Sequence, residues 1–158
     1  MQDFQISPAH PGDPDAAHLI RSHVEQMAAQ SPKESCHALD GNGLDSPAVA
    51  FFLLRNGCAA VAMGALKRLD DAAFELKSMH TLVEVRGSGA GRAMLEHLMD
   101  LARHDGATDI YLETGSTEYF KAARNLYESY GFVECAPFGD YVEDPWSTFM
   151  HLDLRAAS

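Results

Sequence analysis

The 158-residue chain is poor in cysteine, in basic charge and in long apolar runs, and each shortage narrows what it does. Its three cysteines, Cys36, Cys58 and Cys135, are odd in number and lack metal-ligand spacing, so neither a disulfide framework nor a zinc site is supported. Three reduced thiols in a reducing cytosol is the plain reading. Lys and Arg total 12 against 23 Asp and Glu, and the resulting charge of −11 repels phosphate backbones, which argues against a nucleic-acid partner. No segment approaches the roughly 18 apolar residues that span a bilayer, and residues 1–10 lack a basic stretch followed by an apolar one. A cytoplasmic protein without membrane association is expected. With no internal repeat and no low-complexity tract, residues 1–158 read as a single domain.

What is present is the balance of an ordinary globular protein, with 46% hydrophobic and 22% charged residues. Phe4 to Ile6 reads as a short first strand. Asp13 followed by Pro14 reads as an N-cap with proline at the first helical position, and Ala16, Leu19, Ile20, His23, Val24 and Met27 follow at helical spacing to about Gln30. Residues 31–47 read as a long connection. Two breaks, Asn56-Gly57 and Asp70-Asp71, then divide an apolar stretch into a meander of strands near 48–55, 58–69 and 72–82. A helix carrying Met94, Leu95, Leu98, Leu101 and Ala102 ends at Gly106. A strand at 109–113, a helix at 119–130 closed by Gly131, and strands at 132–135 and 148–154 complete the chain.

The turn between the meander and its following helix is Arg86-Gly87-Ser88-Gly89-Ala90-Gly91. Three glycines let backbone amides turn inward, and the helix start adds unpaired N–H groups and a positive dipole end, which together suit a phosphate or pyrophosphate. Arg86 and Arg92 flank the loop with fixed positive charge. A P-loop needs Lys and Ser or Thr after its last glycine, where Arg92 and Ala93 stand. A dinucleotide fingerprint needs its third glycine where Arg92 stands, and it follows the first strand of a parallel unit, not a meander.

Arg86-x-x-Gly89-x-Gly91 between a long strand and a helix resembles the acyl-CoA signature of the GNAT superfamily of N-acetyltransferases. A second segment, Ala123-Arg124-Asn125-Leu126-Tyr127 running on to Gly131-Phe132, is similar to that family's helix and turn. The ending, with Pro137, Phe138, Gly139, Asp140, Tyr141, Asp144 and Pro145, resembles a bacterial YsnE-type branch. The resemblance implies an α/β fold with a central mixed, mostly antiparallel sheet of about six to seven strands flanked by helices. It implies acetyl-CoA as acyl donor, with its pyrophosphate on the amides of Arg86, Gly87, Ser88, Gly89, Ala90 and Gly91 and on the helix start at Arg92. The strand before them splays in this family, placing Met79, His80 and Thr81 along the pantetheine. Many members carry an Asn against the cofactor three residues before the motif alanine, and here that place is Phe120.

Acetyl transfer to an amine needs a neutral nucleophile, donors for the oxyanion, and a proton for the departing thiolate. Tyr127 matches the family tyrosine that protonates the sulfur; it also reads as a core aromatic on the stripe of Phe120 and Ala123. Glu75 stands six residues before Thr81, where the protein-acetylating branch places its glutamate base, and it equally reads as a partner of Lys77 on the same strand face. His80 and Glu113, near the ends of neighbouring strands, are candidates for a proton relay through water. His37, in the long connection, is a candidate for contact with the acceptor. No metal is implied. The expected function is direct transfer from acetyl-CoA to a primary amine, of a small molecule more than of a protein. A non-catalytic acyl-CoA sensor or interaction module of the same fold is the alternative. Members of the family dimerise through C-terminal strands, which points to 148–154 as a homodimer contact.

Overall fold

The computed structural model describes residues 3–32 and 41–155. Seven strands form one sheet in the order β1-β2-β3-β4-β5-β7-β6. They are β1 (Phe4–Pro8), β2 (Val49–Asn56), β3 (Ala59–Arg68), β4 (Ala73–Thr81), β5 (Asp109–Gly115), β6 (Val133–Glu134) and β7 (Ser147–Asp153). The meander arises from its turns. Gly57 takes φ +65° between β2 and β3, as a tight hairpin requires. Asp70 Oδ1 accepts the amides of Ala72 and Ala73, both at 2.8 Å, and so fixes the turn into β4. Every strand pair is antiparallel except β4 with β5, which are joined by a helical crossover and run parallel.

Helices cover both faces. α1 (Pro14–Gln30) and the single turn α2 (Gly41–Leu44) pack on one, burying Ala16, Leu19, Ile20 and Leu44 against Leu53, Met63 and Ala65. α3 (Ala90–His104) and α4 (Lys121–Ser129) lie on the other, where Met94, Leu95 and Leu98 reach zero exposure against Leu66, Leu76 and Ile110. Truncating a side chain this deeply buried to alanine costs about 2–5 kcal/mol. Among the described residues no helix is long and apolar enough to cross a membrane.

Some boundaries differ from the sequence reading for local reasons. Asp13 occupies the N-cap position, but its carboxylate accepts the amide of His10 at 3.1 Å and caps nothing in the helix. Val24 turns outward at the edge of the α1 stripe. The segment expected as a strand at 132–135 shrinks to the two exposed residues of β6, with one further bond from the Cys135 amide to the Phe149 carbonyl at 2.9 Å. Pro137 then ends any continuation, since it has no N–H to donate. β7 pairs along all seven residues with β5 and at only two with β6, so most of its outer edge is unpaired among the described residues.

Candidate active site

The site begins where the two parallel strands part. β4 and β5 pair only from Ala73 to Leu76 and from Asp109 to Leu112. Beyond that, Lys77–Thr81 and Glu113–Gly115 diverge. On its other edge β4 is bulged: Met63 pairs with His80 and Ala65 with Lys77, so Gly64 alone faces two residues. Ser78 in the bulge takes φ +56°, an uncommon conformation for a residue with a Cβ, and its buried Oγ has no hydrogen-bond partner. Gly64 is required there, because a Cβ would lie 2.7 Å from Met94 Cγ and 2.9 Å from Met79 Sδ.

At the wide end of the gap lies the glycine loop. A 3-10 turn (Val83–Val85) leads into it, Gly87 and Gly89 take φ +81° and +94°, and Gly89 is the N-cap of α3. The amides of Ala90, Gly91 and Arg92 are first-turn donors with no intrahelical acceptor. Those of Arg86 and Ser88 donate back to the Val83 and Val85 carbonyls at 3.3 Å, so only part of the loop offers free N–H groups. The loop arginines are tied down as well. Arg86 Nε donates to the Thr81 carbonyl at 3.2 Å and Nη1 to the Tyr119 hydroxyl at 3.1 Å, while Arg92 Nη1 donates to Tyr130 at 3.0 Å.

Loop and gap open into one cleft of about 530 Å3. Of the residues singled out in the sequence, Glu75, Met79, His80, Thr81, Arg86, Gly87, Gly89, Ala90, Gly91, Arg92, Glu113, Phe120 and Tyr127 all line it. Ser88 does not, and its Oγ is buried without a partner. His37 lies outside the described residues. Phe120 is wedged against the end of β5, where a Cβ on Gly115 would stand 1.9 Å from the ring.

On the α3 side the cleft holds Tyr127, which is buried in contact with the large core cluster and with Phe132. Burial, together with the nearby negative charge of Glu113, raises the pKa of its phenol well above the ordinary value, so the hydroxyl stays protonated at neutral pH. Tyr127 therefore packs in the core and also lines the cleft.

On the α1 side the groups are polar and interlocked. Glu75, 3% exposed, accepts from Lys77 Nζ at 3.1 Å and from the Tyr141 hydroxyl at 2.7 Å, and Lys77 also donates to Tyr141 Oη at 2.8 Å. The Tyr141 hydroxyl is held protonated by burial and by the charges of Glu75 and Glu113. His80 Nε2 shares a hydrogen bond with Ser22 Oγ at 2.9 Å, and its ring lies 5.2 Å from that of His23. Burial and the Arg86 charge lower the pKa of His80 to about 4. Burial and His80 lower that of His23 to about 3, so both imidazoles are neutral at pH 7. The Tyr119 hydroxyl, which accepts from Arg86, donates to Gln26 Oε1 of α1 at 2.5 Å.

Tyr141, Lys77, His23, Gln26 and Tyr119 were not identified from sequence as site residues. His23 left a trace, a polar residue inside an apolar helical stripe. Tyr141 left none, because it reaches the cleft from an irregular loop, 66 residues from Glu75.

The comparisons agree with this geometry. Residues 17–132 match the Acetyltransferase (GNAT) family. An uncharacterized N-acetyltransferase of Bacillus subtilis (strain 168), YsnE, is 42% identical over 132 residues, which cover 84% of this chain and 87% of that one. A second, YedL of Escherichia coli (strain K12), is 40% identical over 136 residues, covering 86% of each. A solved structure from Klebsiella pneumoniae, provisionally described as an acyl-CoA N-acyltransferase, superposes with a TM-score of 0.78 at 25% identity over 96% of this chain and 97% of that one. A GNAT acetyltransferase from Elizabethkingia anophelis with acetyl-CoA bound has a TM-score of 0.68 at 13% identity, covering 97% and 99%, and shares the fold. The strand order, the gap between β4 and β5, the glycine loop and these matches converge, and the chain belongs to the GNAT family of acetyltransferases.

Proposed function

We propose that the protein transfers the acetyl group of acetyl-CoA directly to a primary amine of a small molecule, with donor and acceptor bound together. The observation that carries this reading is the single cleft running from the glycine loop, through the gap between β4 and β5, to the polar groups beneath α1. The loop and the first-turn amides of α3 suit the pyrophosphate. The backbone of Met79, His80 and Thr81, unpaired with β5, suits the pantetheine amides. The thioester then lies between Tyr127 on one side and His80 and Glu113 on the other.

In the reaction the amine nitrogen forms a bond to the acetyl carbon, the carbon–sulfur bond breaks, and the electron pair leaves on sulfur. Tyr127 supplies the proton to that thiolate, a role suited to a buried phenol that stays protonated. The proton lost by the attacking nitrogen passes to His80 or Glu113. Glu75 is less suited to that task, since its carboxylate is already occupied by an ammonium and a phenol. Cys58 and Cys135 lie outside the cleft, so neither is placed to carry a covalent acyl group.

Initial rates of CoA release, measured against acetyl-CoA and a panel of primary amines with N-acetylated product identified by mass, test the reading. Release that depends on the amine, with intersecting double-reciprocal lines, is expected. Parallel lines would rule out the ternary complex, and acetyl-CoA binding with no transfer to any amine would leave a sensor.

A further inference from the structure

Lys77 is a buried cation in the half of the cleft assigned above to the acceptor. Its side chain is 9% exposed, and the carboxylate of Glu75 beside it is 4% exposed. An ammonium has three N–H donors. Two go to Glu75 and to Tyr141, at 3.1 and 2.8 Å, and no further partner of Lys77 occurs among the described residues. The third remains for a ligand in the cleft that Lys77 lines. The other basic residues of the cleft, Arg86 and Arg92, stand at the glycine loop, tied to Tyr119 and Tyr130. Glu113 lines the same cleft, and its negative charge acts on both Tyr127 and Tyr141.

We propose that Lys77 anchors a carboxylate of the acceptor, so that the substrate is an α-amino acid whose ammonium faces Glu113 and His80 while its carboxylate meets Lys77. This rests on the transferase reading above and names its substrate class. A fixed anion beside a fixed cation matches a zwitterion. A polyamine, by contrast, would set a second ammonium, which has no acceptor, against the remaining N–H donor of Lys77 in a partly desolvated site. Removing the carboxylate from a correct substrate leaves the Lys77 donor unpaired in the complex, and such losses discriminate strongly.

The test compares kcat/KM for free α-amino acids, their carboxamides and linear diamines with the intact protein and acetyl-CoA. At least one amino acid is expected to exceed its carboxamide about tenfold or more, and Lys77→Arg to keep that preference. Lys77→Met is expected to abolish it. Because that variant leaves Glu75 buried without its counter-charge, the Glu75→Gln/Lys77→Met double variant is measured beside it, with the same loss of preference expected. Carboxamides or diamines used as fast as amino acids, or a preference that survives in the double variant, overturns the role of Lys77 while leaving the transferase intact. Transfer to no amine at all, with acetyl-CoA still bound, overturns the transferase reading and this one with it.

Discussion

The half of the cleft proposed for the donor is made of backbone, and the half proposed for the acceptor of side chains. At the glycine loop the working parts are amides at Ala90, Gly91 and Arg92 and a helix dipole, held by positive-φ glycines at 87 and 89. Beneath α1 they are a carboxylate, an ammonium, a phenol and the imidazole of His80, from β4 and the loop before β7 and locked by hydrogen bonds at 2.7–3.1 Å, with the neutral ring of His23 from α1 packed 5.2 Å from that of His80. A backbone site needs only that the chain be free to bend, which suits the invariant part of the proposed reaction, CoA. A side-chain site can be altered one residue at a time without disturbing the sheet, which suits the part that sets the acceptor.

Four changes sharpen or break that contrast. The largest effect is expected from Tyr127→Phe, where the two halves meet: loss of a positioned acid lowers kcat by roughly 10²–10⁴-fold, with acetyl-CoA affinity unchanged by titration. An unchanged kcat would give the proton to another group and make Tyr127 a core residue only.

The second is a pH effect confined to the acceptor half. His80 is neutral in the folded protein with its pKa lowered from 6.5 to about 4, so the unfolded chain binds the extra proton between those values. The contribution of His80 to stability is therefore complete above about pH 6.5 and is lost on acidification toward pH 4, by at most about 1.4 kcal/mol per pH unit, and His23 adds a loss of the same sign. His80→Asn should flatten the fall in Tm across that window. Parallel wild-type and variant curves would remove His80 from the account.

The third tests the donor half. Gly115→Ala drives a Cβ to within 1.9 Å of Phe120, and displacement of that ring should cost about 1–3 kcal/mol in denaturant unfolding and weaken acetyl-CoA binding together. Unfolding without weakened binding would take Phe120 out of the cofactor wall. The smallest effect is expected from Ser78→Gly, which relieves a positive φ and removes an unpartnered hydroxyl, stabilising by less than about 1 kcal/mol. A lower Tm would mean that the hydroxyl has a role in holding the bulge.

The same contrast explains what could be read from the sequence. Glycines at 57, 87, 89 and 131 mark turns by their conformational freedom, and the 3.6-residue stripe of Met94, Leu95 and Leu98 marks the helix beneath, so the order of elements along the chain and the glycine loop were legible. The acceptor half was legible only in part. Glu75 and Lys77 sit two apart on one strand, and their pairing was foreseeable from the alternation. Tyr141 was not, because no periodicity links an irregular loop to a strand 66 residues away. The bulge at Ser78 was equally hidden, since its cause is the partner strand at Gly64 and the packing of Met79 and Met94 against it.

The central claim is that the gap between β4 and β5, with the glycine loop at its mouth, is a binding site for acetyl-CoA. Calorimetric titration of the protein with acetyl-CoA, using ATP and NAD as controls and Gly89→Tyr as the blocked loop, tests it most directly. A single-site isotherm for acetyl-CoA, absent with both controls and lost in the variant, is the predicted result. No heat with acetyl-CoA, or equal binding of ATP, would contradict it.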